Sequence, residues 1–367
     1  MLESQVHTVP MSAPDDVSAV ATLFDSGMVD PANAVALIAQ TEGDGFARGF
    51  ATLALQLLFS ERLALSREEV FDRIPMLMIG GTAGLMSPHV TLFVRKPAVS
   101  PAQSDAPRLA IGVASTRAVQ PEEYGTIVQT ELVAASLRAA MRDAGITSPE
   151  DVACVEMKCP HMSAEKLDGA VASGRPVVTR DVARASSLSR GASALGAALA
   201  LGEVSASDLR GDAIGSRPEL YTERGSASSG GEQVAVRTVV IGNVRGAPGT
   251  YVAARGVMRD QLDIQGARAA FRAAGLRLDD GIVVPEDRRK VAAVFVNAGA
   301  DSVPACAGRR HTMRSDLLSA YSGHVAKAVA HANVSAIAQD TLVLGNAGAE
   351  HQGAPGANLV CVIANHA

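Results

Sequence analysis

The chain has 367 residues, of which 47% are apolar and 19% are charged, and its net charge is -5. A chain of this length and composition is expected to fold around a sizeable core. Aromatic residues make up only 3% and no basic stripe is present, so the composition argues against nucleic-acid binding, and the apolar stretches are too short for a membrane role.

The cysteines show no C-x-x-C pair and no dense spacing; they are Cys154, Cys159, Cys306 and Cys361. This spacing favours buried thiols in a reducing compartment over a disulfide scaffold. The first residues, MLESQVHTVPMSAPDD, have neither the cationic start nor the apolar core of a signal peptide. We therefore predict a cytoplasmic protein.

An apolar run that predicts a β-strand and ends in a polar step occurs three times along the chain. The runs are AVALIAQTEG at 34–43, DVACVEMKCP at 151–160 and KVAAVFVNAGAD at 290–301. The polar residues are Gln40, Lys158 and Asn297. Short runs of aliphatic and β-branched residues are typical of buried strands.

Each run is followed by an alanine-rich stretch that predicts a helix, and then by a small-residue turn that leads into another strand. The helical stretches begin near 46, 188 and 321, and their early positions hold Arg48, Arg190 and Gly323. The turns begin at Ile79, Ser229 and Asn346.

This threefold repetition predicts an α/β fold in which three homologous α/β units are arranged with internal pseudo-threefold symmetry into a barrel-like single assembly. Polar or proline-rich breaks place the units at 1–104, 105–248 and 249–367. Equivalent strand ends converge near such an axis. Lys158, Arg190 and Ser229, which are far apart in sequence, are therefore expected to face one pocket.

The residues of the middle unit have the chemistry of an acyl-transfer site. A serine hydroxyl is a poor nucleophile unless a base removes its proton, and a neutral lysine is one known base. Lys158 ends an apolar strand and Arg190 adds a second cation, so both are expected to lower the pKa of the lysine. Glycines after Ser229 allow backbone N–H groups to approach an oxyanion closely.

Eight motifs spread over nearly the whole chain resemble those of the cyanuric acid hydrolase and barbiturase family of ring-opening cyclic amide hydrolases. The motifs are HTVPMSAPDDVS, TEGDGFARGFA, GGTAGLMSPH, VEMKCP, SRGASALGAALALGE, SASSGGE, GRRHTM and GAEHQGAPG. The resemblance implies a three-unit fold, homo-oligomers that include a tetramer, and one Lys, Arg and Ser from each unit at a central site. It implies that Lys158 and Ser229 are catalytic and that Arg190 binds substrate.

The first and third units depart from the pattern that the resemblance implies. Gln40 and Ile79 stand where the first unit has Lys and Ser, and only Arg48 is kept. Asn297, Gly323 and Asn346 replace the three residues of the third unit. We therefore predict ring opening of a cyclic amide or imide less symmetric than cyanuric acid, with Arg48, Arg190, Gly230, Gly80 and Asn346 as candidate substrate-binding residues.

Several alternatives stay open at this point. Ser228 is an alternative to Ser229 as the nucleophile. The serine-glycine stretch alone is typical of a simple turn, and an ion pair with Glu203 is an alternative role for Arg190. His89 and His311 are interpreted as structural histidines. A hydrolytic deaminase acting on an unsaturated amino or imino acid, or a non-catalytic small-molecule binder, would also account for two degenerate units.

The expected ligand is a small molecule, and no cofactor is expected to take part in catalysis. No G-x-x-x-x-G-K-[ST] motif or G-x-G-x-x-G after a strand indicates a nucleotide. The resemblance implies a structural cation bound through backbone carbonyls near Glu350, although Gly299 stands where an acidic ligand is expected. The alternative role of Glu350 is a structural ion pair.

Overall fold

Three sheets with the same strand order form the framework of the protein. The computed structural model describes residues 2–42, 45–80, 84–98, 105–210, 213–299, 303–313 and 322–367. In each four-stranded sheet the fourth strand lies antiparallel between the first and the second, and the third pairs parallel with the second. The predicted repetition and the α/β fold class are therefore confirmed.

The elements follow one another in a similar order in the three units. The first unit contains β1 (Leu2–Pro10), α1 (Ser18–Asp25), β2 (Ala34–Thr41), α2 (Gly45–Leu63), α3 (Arg67–Arg73), β3 (Met76–Gly80) and β4 (His89–Pro97). The second contains β5 (Pro107–Ala118), α4 (Ile127–Ala144), β6 (Val152–Pro160), α5 (Ala164–Ala172), α6 (Val182–Leu201), β7 (Gly225–Gly230) and β8 (Ala235–Arg245).

The third unit carries extra short elements. It contains β9 (Tyr251–Met258), α7 (Ile264–Ala273), β10 (Leu278–Asp279), β11 (Ile282–Val283), α8 (Pro285–Arg288), β12 (Val291–Ala298), β13 (Ala305–Cys306), β14 (Arg309–Arg310), α9 (Ser322–Ala338), β15 (Leu344–Asn346) and β16 (Asn358–Asn365). Short 3-10 turns at Pro31–Asn33 and Pro149–Asp151 lead into β2 and β6, and one at Pro121–Glu123 precedes α4. The sheets thus span 2–97, 107–245 and 251–365, while the unit boundaries at 104/105 and 248/249 stay predictions.

The inner faces of the three sheets share one apolar core at the centre. Val6 and Phe93 come from the first unit, Ile111 and Val239 from the second, and Phe295 from the third. Phe93 stacks on Phe295 with ring centroids 6.4 Å apart. The helices cover the outer face of each sheet and form separate apolar clusters with it, so a polar group on an inner strand face is enclosed by protein on several sides.

Helix α6 is built for close packing against the middle sheet and against α4. Asp181 caps its first turn, because its carboxylate accepts from Arg184 N at 2.9 Å, and Gly202 ends it with a left-handed φ of 73°. A Cβ added at Gly196 would lie 2.7 Å from Thr130 O, so only glycine permits this approach to α4. This packing fixes the position of Arg190.

The structure also shows what the sequence patterns missed. The first strand of each unit was not predicted, and Ser229 lies inside strand β7 rather than in a turn. Cys154, Cys159 and Cys361 are buried thiols as predicted, but Cys306 is only half-buried, at a short hairpin, so that prediction was wrong. In the described part of the chain, no helix combines the length and apolar composition needed to cross a membrane.

Candidate active site

Lys158 and Ser228 are direct neighbours in the parallel pairing of β6 with β7, whereas Ser229 pairs with Cys159. Residues in register on adjacent parallel strands project from the same face of the sheet, and successive residues alternate between faces. Lys158 and Ser228 therefore share one face, and Cys159 and Ser229 the other.

The packing identifies which face is which. Cys159 and Ala227 belong to the apolar cluster between sheet and helices. Cys154, which lies two positions before Glu156 and four before Lys158, belongs to the central core. Lys158 and Ser228 thus face the centre of the molecule. The Ser228 hydroxyl oxygen is buried and makes no hydrogen bond within the described residues.

Ser229 lies on the helix side of the strand end, where Arg190 meets it. Arg190 Nη1 donates to Ser229 Oγ at 3.3 Å. The pairing of Arg190 with Glu203 that the sequence left open is not formed; Glu203 lies 3.8 Å from Arg224 instead. Arg190 and Ser229 are thus brought together as predicted, and the register adds Ser228 beside Lys158.

Lys158 is 2% exposed, and its Nζ donates to Met78 O of β3 at 2.6 Å. Burial lowers the pKa of Lys158 from 10.5 to about 8; the Glu232 carboxylate opposes this, and the Arg48 and Arg190 guanidinium groups lower the pKa further. Burial and two nearby arginines therefore bring the pKa of Lys158 close enough to physiological pH for a minor fraction of the amine to be neutral there.

Arg48 completes a cluster of cations around this strand end. Its Nε is buried without a partner among the described residues, although the side chain as a whole is half-buried. The pKa of His161 is lowered by burial and then by Arg190, Lys166 and Arg48. The first unit has thus kept a guanidinium that lies close enough to act on groups of the middle unit.

Lys327 of α9 is a third cation at the site, which the comparison of the repeats missed. It lies one helical turn after Gly323, is 1% exposed, and its Nζ donates to Gly80 O at 3.4 Å. Burial lowers the pKa of Lys327 to about 8. Burial lowers the pKa of His324, and Lys327 and Arg190 lower it further. The available signal was a lysine inside the apolar stretch AKAVA, a pattern that is also typical of an ordinary core helix.

Amide side chains stand at positions where the first and third units lack the expected Lys or Ser, and they form hydrogen bonds between units. Gln40 Oε1 accepts from Gly345 N at 2.8 Å and Gln40 Nε2 donates to Ile79 O at 3.1 Å. Asn346 Nδ2 donates to Ser226 Oγ at 2.8 Å. Together with Lys158 and Met78, these bonds link the first unit to the third, the third to the second and the second to the first.

Asn297 reaches a buried carboxyl group of the middle unit. Its Nδ2 lies 2.5 Å from Glu156 Oε1, which also accepts from Cys154 Sγ at 3.3 Å. Burial raises the pKa of Glu156 to about 7, and the bonds from Asn297, Cys154 and Ser226 oppose the shift. Where the third unit lacks a lysine, the site thus has an amide bonded to an acid.

The predicted glycines lie at strand ends beside these groups. Gly80 ends β3 and offers its carbonyl to Lys327. Gly230 ends β7, and its carbonyl accepts from His161 N at 3.1 Å. These hydrogen bonds to the carbonyls of Gly80 and Gly230 hold the two strand ends in place at the edge of the site.

Comparisons with known proteins identify the family of this chain. Residues 5–365 match the model of the family described as amidohydrolase ring-opening protein. The chain belongs to this family. A cyclic amide hydrolase of Azorhizobium caulinodans is 41% identical over 362 residues, with 98% of both chains covered. A cyanuric acid amidohydrolase of Enterobacter cloacae is 40% identical over 372 residues, with both chains covered completely.

Solved structures of the ring-opening family share the whole architecture. A cyanuric acid hydrolase described as an innovation by structural concatenation superposes with a TM-score of 0.93 at 36% identity and complete coverage of both chains. The cyanuric acid hydrolase crystal structure from A. caulinodans gives a TM-score of 0.87 at 37% identity, covering 100% of this chain and 99% of that one.

Glu350, where the resemblance implies a structural cation, is engaged by a guanidinium. Its Oε1 accepts from Ser187 and lies 3.3 Å from Arg184 Nη1. These contacts form the structural ion pair that the sequence left open, while Glu350 Oε2 is buried with no hydrogen-bond partner among the described residues. Within the described ranges, no group of three or more His, Cys, Asp or Glu residues is arranged to hold a metal ion. A cation bound by backbone carbonyls stays an untested prediction.

Proposed function

We propose that this member of the family opens a cyclic amide or imide ring by hydrolysis, with Ser228 as the nucleophile and Lys158 as the base. The observation that carries the proposal is the register of β6 and β7, which sets a buried serine hydroxyl beside a buried lysine. Its Oγ has no hydrogen-bond partner among the described residues and is available to attack a substrate carbonyl. Ser229, the residue favoured by its neighbouring glycine, becomes the second choice.

Lys158 can act as the base because its pKa is lowered toward neutral pH. A pKa of about 8 leaves an appreciable fraction of the amine unprotonated at neutral pH, while the amine is still basic enough to take a serine proton. Burial is the main cause of the low pKa, and the two arginines add to it. A site without this burial would hold a protonated and inactive lysine.

The reaction needs only these groups and one water molecule. Ser228 Oγ attacks the carbonyl carbon while its proton passes to Lys158 Nζ. The ring C–N bond breaks, and the leaving nitrogen takes that proton from Lys158. Water then attacks the acyl-serine with Lys158 again accepting a proton, and the ring-opened acid is released as Ser228 recovers its hydrogen.

Backbone and cationic donors support the charges that develop. Ala227 N donates to Gln352 Oε1 at 3.1 Å, away from β6. The N–H of Ser229 is expected to point the same way, because N–H directions alternate along a strand. We assign this N–H, with the flexible Gly230 and Gly231 next to it, to the oxyanion, which accords with the usual donor position after the nucleophile.

Three cations from three units are candidates for binding the ring oxygens. Arg48 offers a buried Nε with no partner in the described part of the chain, Arg190 reaches the end of β7, and Lys327 lies on α9 of the third unit. Guanidinium groups suit planar oxygen acceptors because their donors form a fixed fork. A lysine in the third position offers a point charge instead.

The substrate is proposed to be less symmetric than cyanuric acid. Only the middle unit has a Lys and Ser pair, whereas Gln40 and Asn346 have both ends of their amides in hydrogen bonds within the protein. Ile79 adds an apolar side chain in the register position that Ser228 holds in the middle unit. A ring with one amide edge and a less polar opposite side fits this arrangement.

A substrate panel with two matched variants tests the proposal. Cyclic imides, lactams and pyrimidine-like rings are incubated with the protein, with Ser228→Ala and with Lys158→Met, and ring-opened products are detected by mass spectrometry. We expect turnover of at least one ring by the unaltered protein alone. Ammonia release without a ring-opened amide would favour the deaminase, and binding without turnover across the panel would favour a non-catalytic binder.

We also propose that the chain forms a homo-oligomer, specifically a tetramer, through the exposed face of α2. Phe46, Phe50, Leu53 and Leu57 recur at steps of four, three and four residues and are 81%, 59%, 38% and 52% exposed. Residues 49–60 contain no charged side chain. An apolar stripe along one helix face is typical of an interface, and a second copy offers the same stripe.

The remaining assignments follow from the same residues. We propose a cytoplasmic location because the four cysteines are free thiols. The three repeat units at 1–104, 105–248 and 249–367 are proposed as the building blocks of the site. No step of the proposed reaction uses a cofactor or a metal.

A further inference from the structure

The carboxylate of Glu232 is folded back onto the end of strand β7. A Cβ added at Gly230 would lie 2.1 Å from Glu232 Oε1 and 2.2 Å from Oε2. The acid therefore occupies the space that any other residue at 230 would need for its side chain. Because Gly230 is two residues beyond Ser228, the carboxylate lies at the mouth of the site already described.

The neighbours of this carboxylate are mainly cationic. It acts electrostatically on Lys158 of β6, His161 after β6, Lys166 of α5 and Arg237 of β8. Gln233 Nε2 lies 3.4 Å from Glu232 Oε1. Among the described groups, no ion pair within 4.0 Å occupies this acid, so its charge is shared among several partners.

Charged groups surround Lys158 on several elements. On β8, the buried Arg237 pairs opposite Lys158, and its guanidinium donates to Gln233 and Asp72. Arg48 of α2 and Arg190 of α6 are positive, and Cys159 on the same strand carries a thiol. Among the described groups that act on the amine, Glu232 is the carboxylate. When Lys158 accepts a proton, the ammonium forms in a buried site beside two guanidinium groups, an arrangement that is unfavourable without a counter-charge.

We propose that Glu232 is a positioning residue for the reaction, the counter-ion that receives the Lys158 ammonium formed when Ser228 gives up its proton. The inference rests on the proposed function, because it gives Glu232 a role only where Lys158 is the base. Gly230 is needed for this arrangement, because the absence of a side chain there lets the Glu232 carboxylate lie against the end of β7.

The expected effect has a defined sign. Glu232 raises the pKa of Lys158 and the arginines lower it, so Glu232→Gln lowers that pKa below about 8. The acid limb of kcat/KM then moves to lower pH. The plateau falls roughly three- to tenfold, because a weaker base removes the serine proton less readily. Glu232→Asp keeps the charge and restores the limb in part.

The experiment compares pH profiles of kcat/KM with a direct measurement on Lys158. Carbamoylation by potassium cyanate, which modifies neutral amines, is followed by mass spectrometry at Lys158 with Lys96 as the internal reference. Glu68→Gln is the matched control, because Glu68 lines the same surface cavity as Glu232 but is not among the groups acting on Lys158. This control should leave both readouts unchanged.

The two readouts separate this inference from the proposed function. A lower carbamoylation midpoint in Glu232→Gln supports the counter-ion role, even where Ser228→Ala still turns over and the nucleophile assignment fails. An unchanged midpoint, or one as low in Glu68→Gln as in Glu232→Gln, overturns the counter-ion role whatever the substrate. If Glu232→Gln does not fold, Gly230→Ala must displace the carboxylate and give the same lower midpoint; a midpoint unmoved there also overturns it.

Discussion

Lys158 and Ser228 stand opposite each other in the parallel pairing of β6 and β7, on the face that points to the centre of the three units. Ser229, one residue further on, projects to the other face and meets Arg190 at 3.3 Å. The alternation of a strand thus divides two adjacent serines between two environments. It gives them different expected roles in catalysis.

Exchange of each serine for alanine tests this division. Ser228→Ala removes the attacking oxygen, so kcat is expected to fall by at least about 10³-fold. Ser229→Ala removes a hydroxyl bonded to Arg190 but keeps the backbone N–H, so a loss of about tenfold or less is expected. Steady-state kinetics on the same substrate give both values. The opposite order would return the nucleophile to Ser229.

The pH dependence should report the neutral form of Lys158. Its pKa is lowered to about 8, so kcat/KM is expected to rise with pH and level off above about 8. Arg48→Met removes one cation that lowers this pKa, and the limb should then move to higher pH by up to about one unit. A limb that stays in place in Arg48→Met would exclude Arg48 from the surroundings of the base.

The fold could be predicted from the sequence because its determinants are local. The three apolar runs became β2, β6 and β12 with ends that agree within three residues, and the three alanine-rich stretches became α2, α6 and α9. Each of these segments has a continuous apolar or helical pattern that its neighbours do not change. The repeat predicted a site that contains Lys158 and Ser229, whereas the strand pairing places Ser228 opposite Lys158.

The parts of the site that were missed depend on register and on contacts between units. The sequence Ser-Gly-Gly is typical of a turn, in which side chains do not alternate between two faces, so the neighbouring glycine favoured Ser229. In a strand they do alternate, and the pairing with Lys158 favours Ser228. Lys327 is one turn away from the position compared, and only its reach to Gly80 in another unit distinguishes it. Contacts between distant segments leave no such pattern in the sequence.

Lys327 is expected to contribute to substrate binding. Lys327→Met removes a buried charge-assisted donor, so KM should rise about 10- to 100-fold with a smaller change in kcat. Lys327→Arg keeps the positive charge and should recover most of the affinity. Michaelis–Menten constants for both variants test this. Equal losses in methionine and arginine variants would indicate a packing role for the side chain instead.

Glu156 is expected to make stability fall as the pH rises through neutrality. Its pKa is raised from 4.5 to about 7 in the folded chain, so the folded state binds more protons than the unfolded state between these values. The stability contributed by the protonated acid is complete below about 4.5 and is lost as the pH passes 7. The displacement corresponds to at most roughly 3 kcal/mol.

Glu156→Gln removes this dependence while keeping an acceptor for Asn297. The variant should gain stability relative to the unaltered protein on going from pH 5 to pH 8, as measured by urea unfolding at both values. Because other groups titrate equally in both proteins, the difference between them isolates Glu156. Parallel curves for the two proteins would show that Glu156 does not titrate in this range.

The exposed stripe on α2 predicts how copies of the chain associate. Phe50→Glu together with Leu57→Glu places two charges on a face that carries none between residues 49 and 60, so an interface formed there should dissociate. Met28→Glu is the matched control, because Met28 is 61% exposed but lies outside this stripe. Sedimentation velocity gives the mass of each variant. A smaller mass in the double variant alone supports the interface. An unchanged mass in all three proteins excludes α2 from the contact, because a buried apolar interface does not tolerate two unpaired carboxylates.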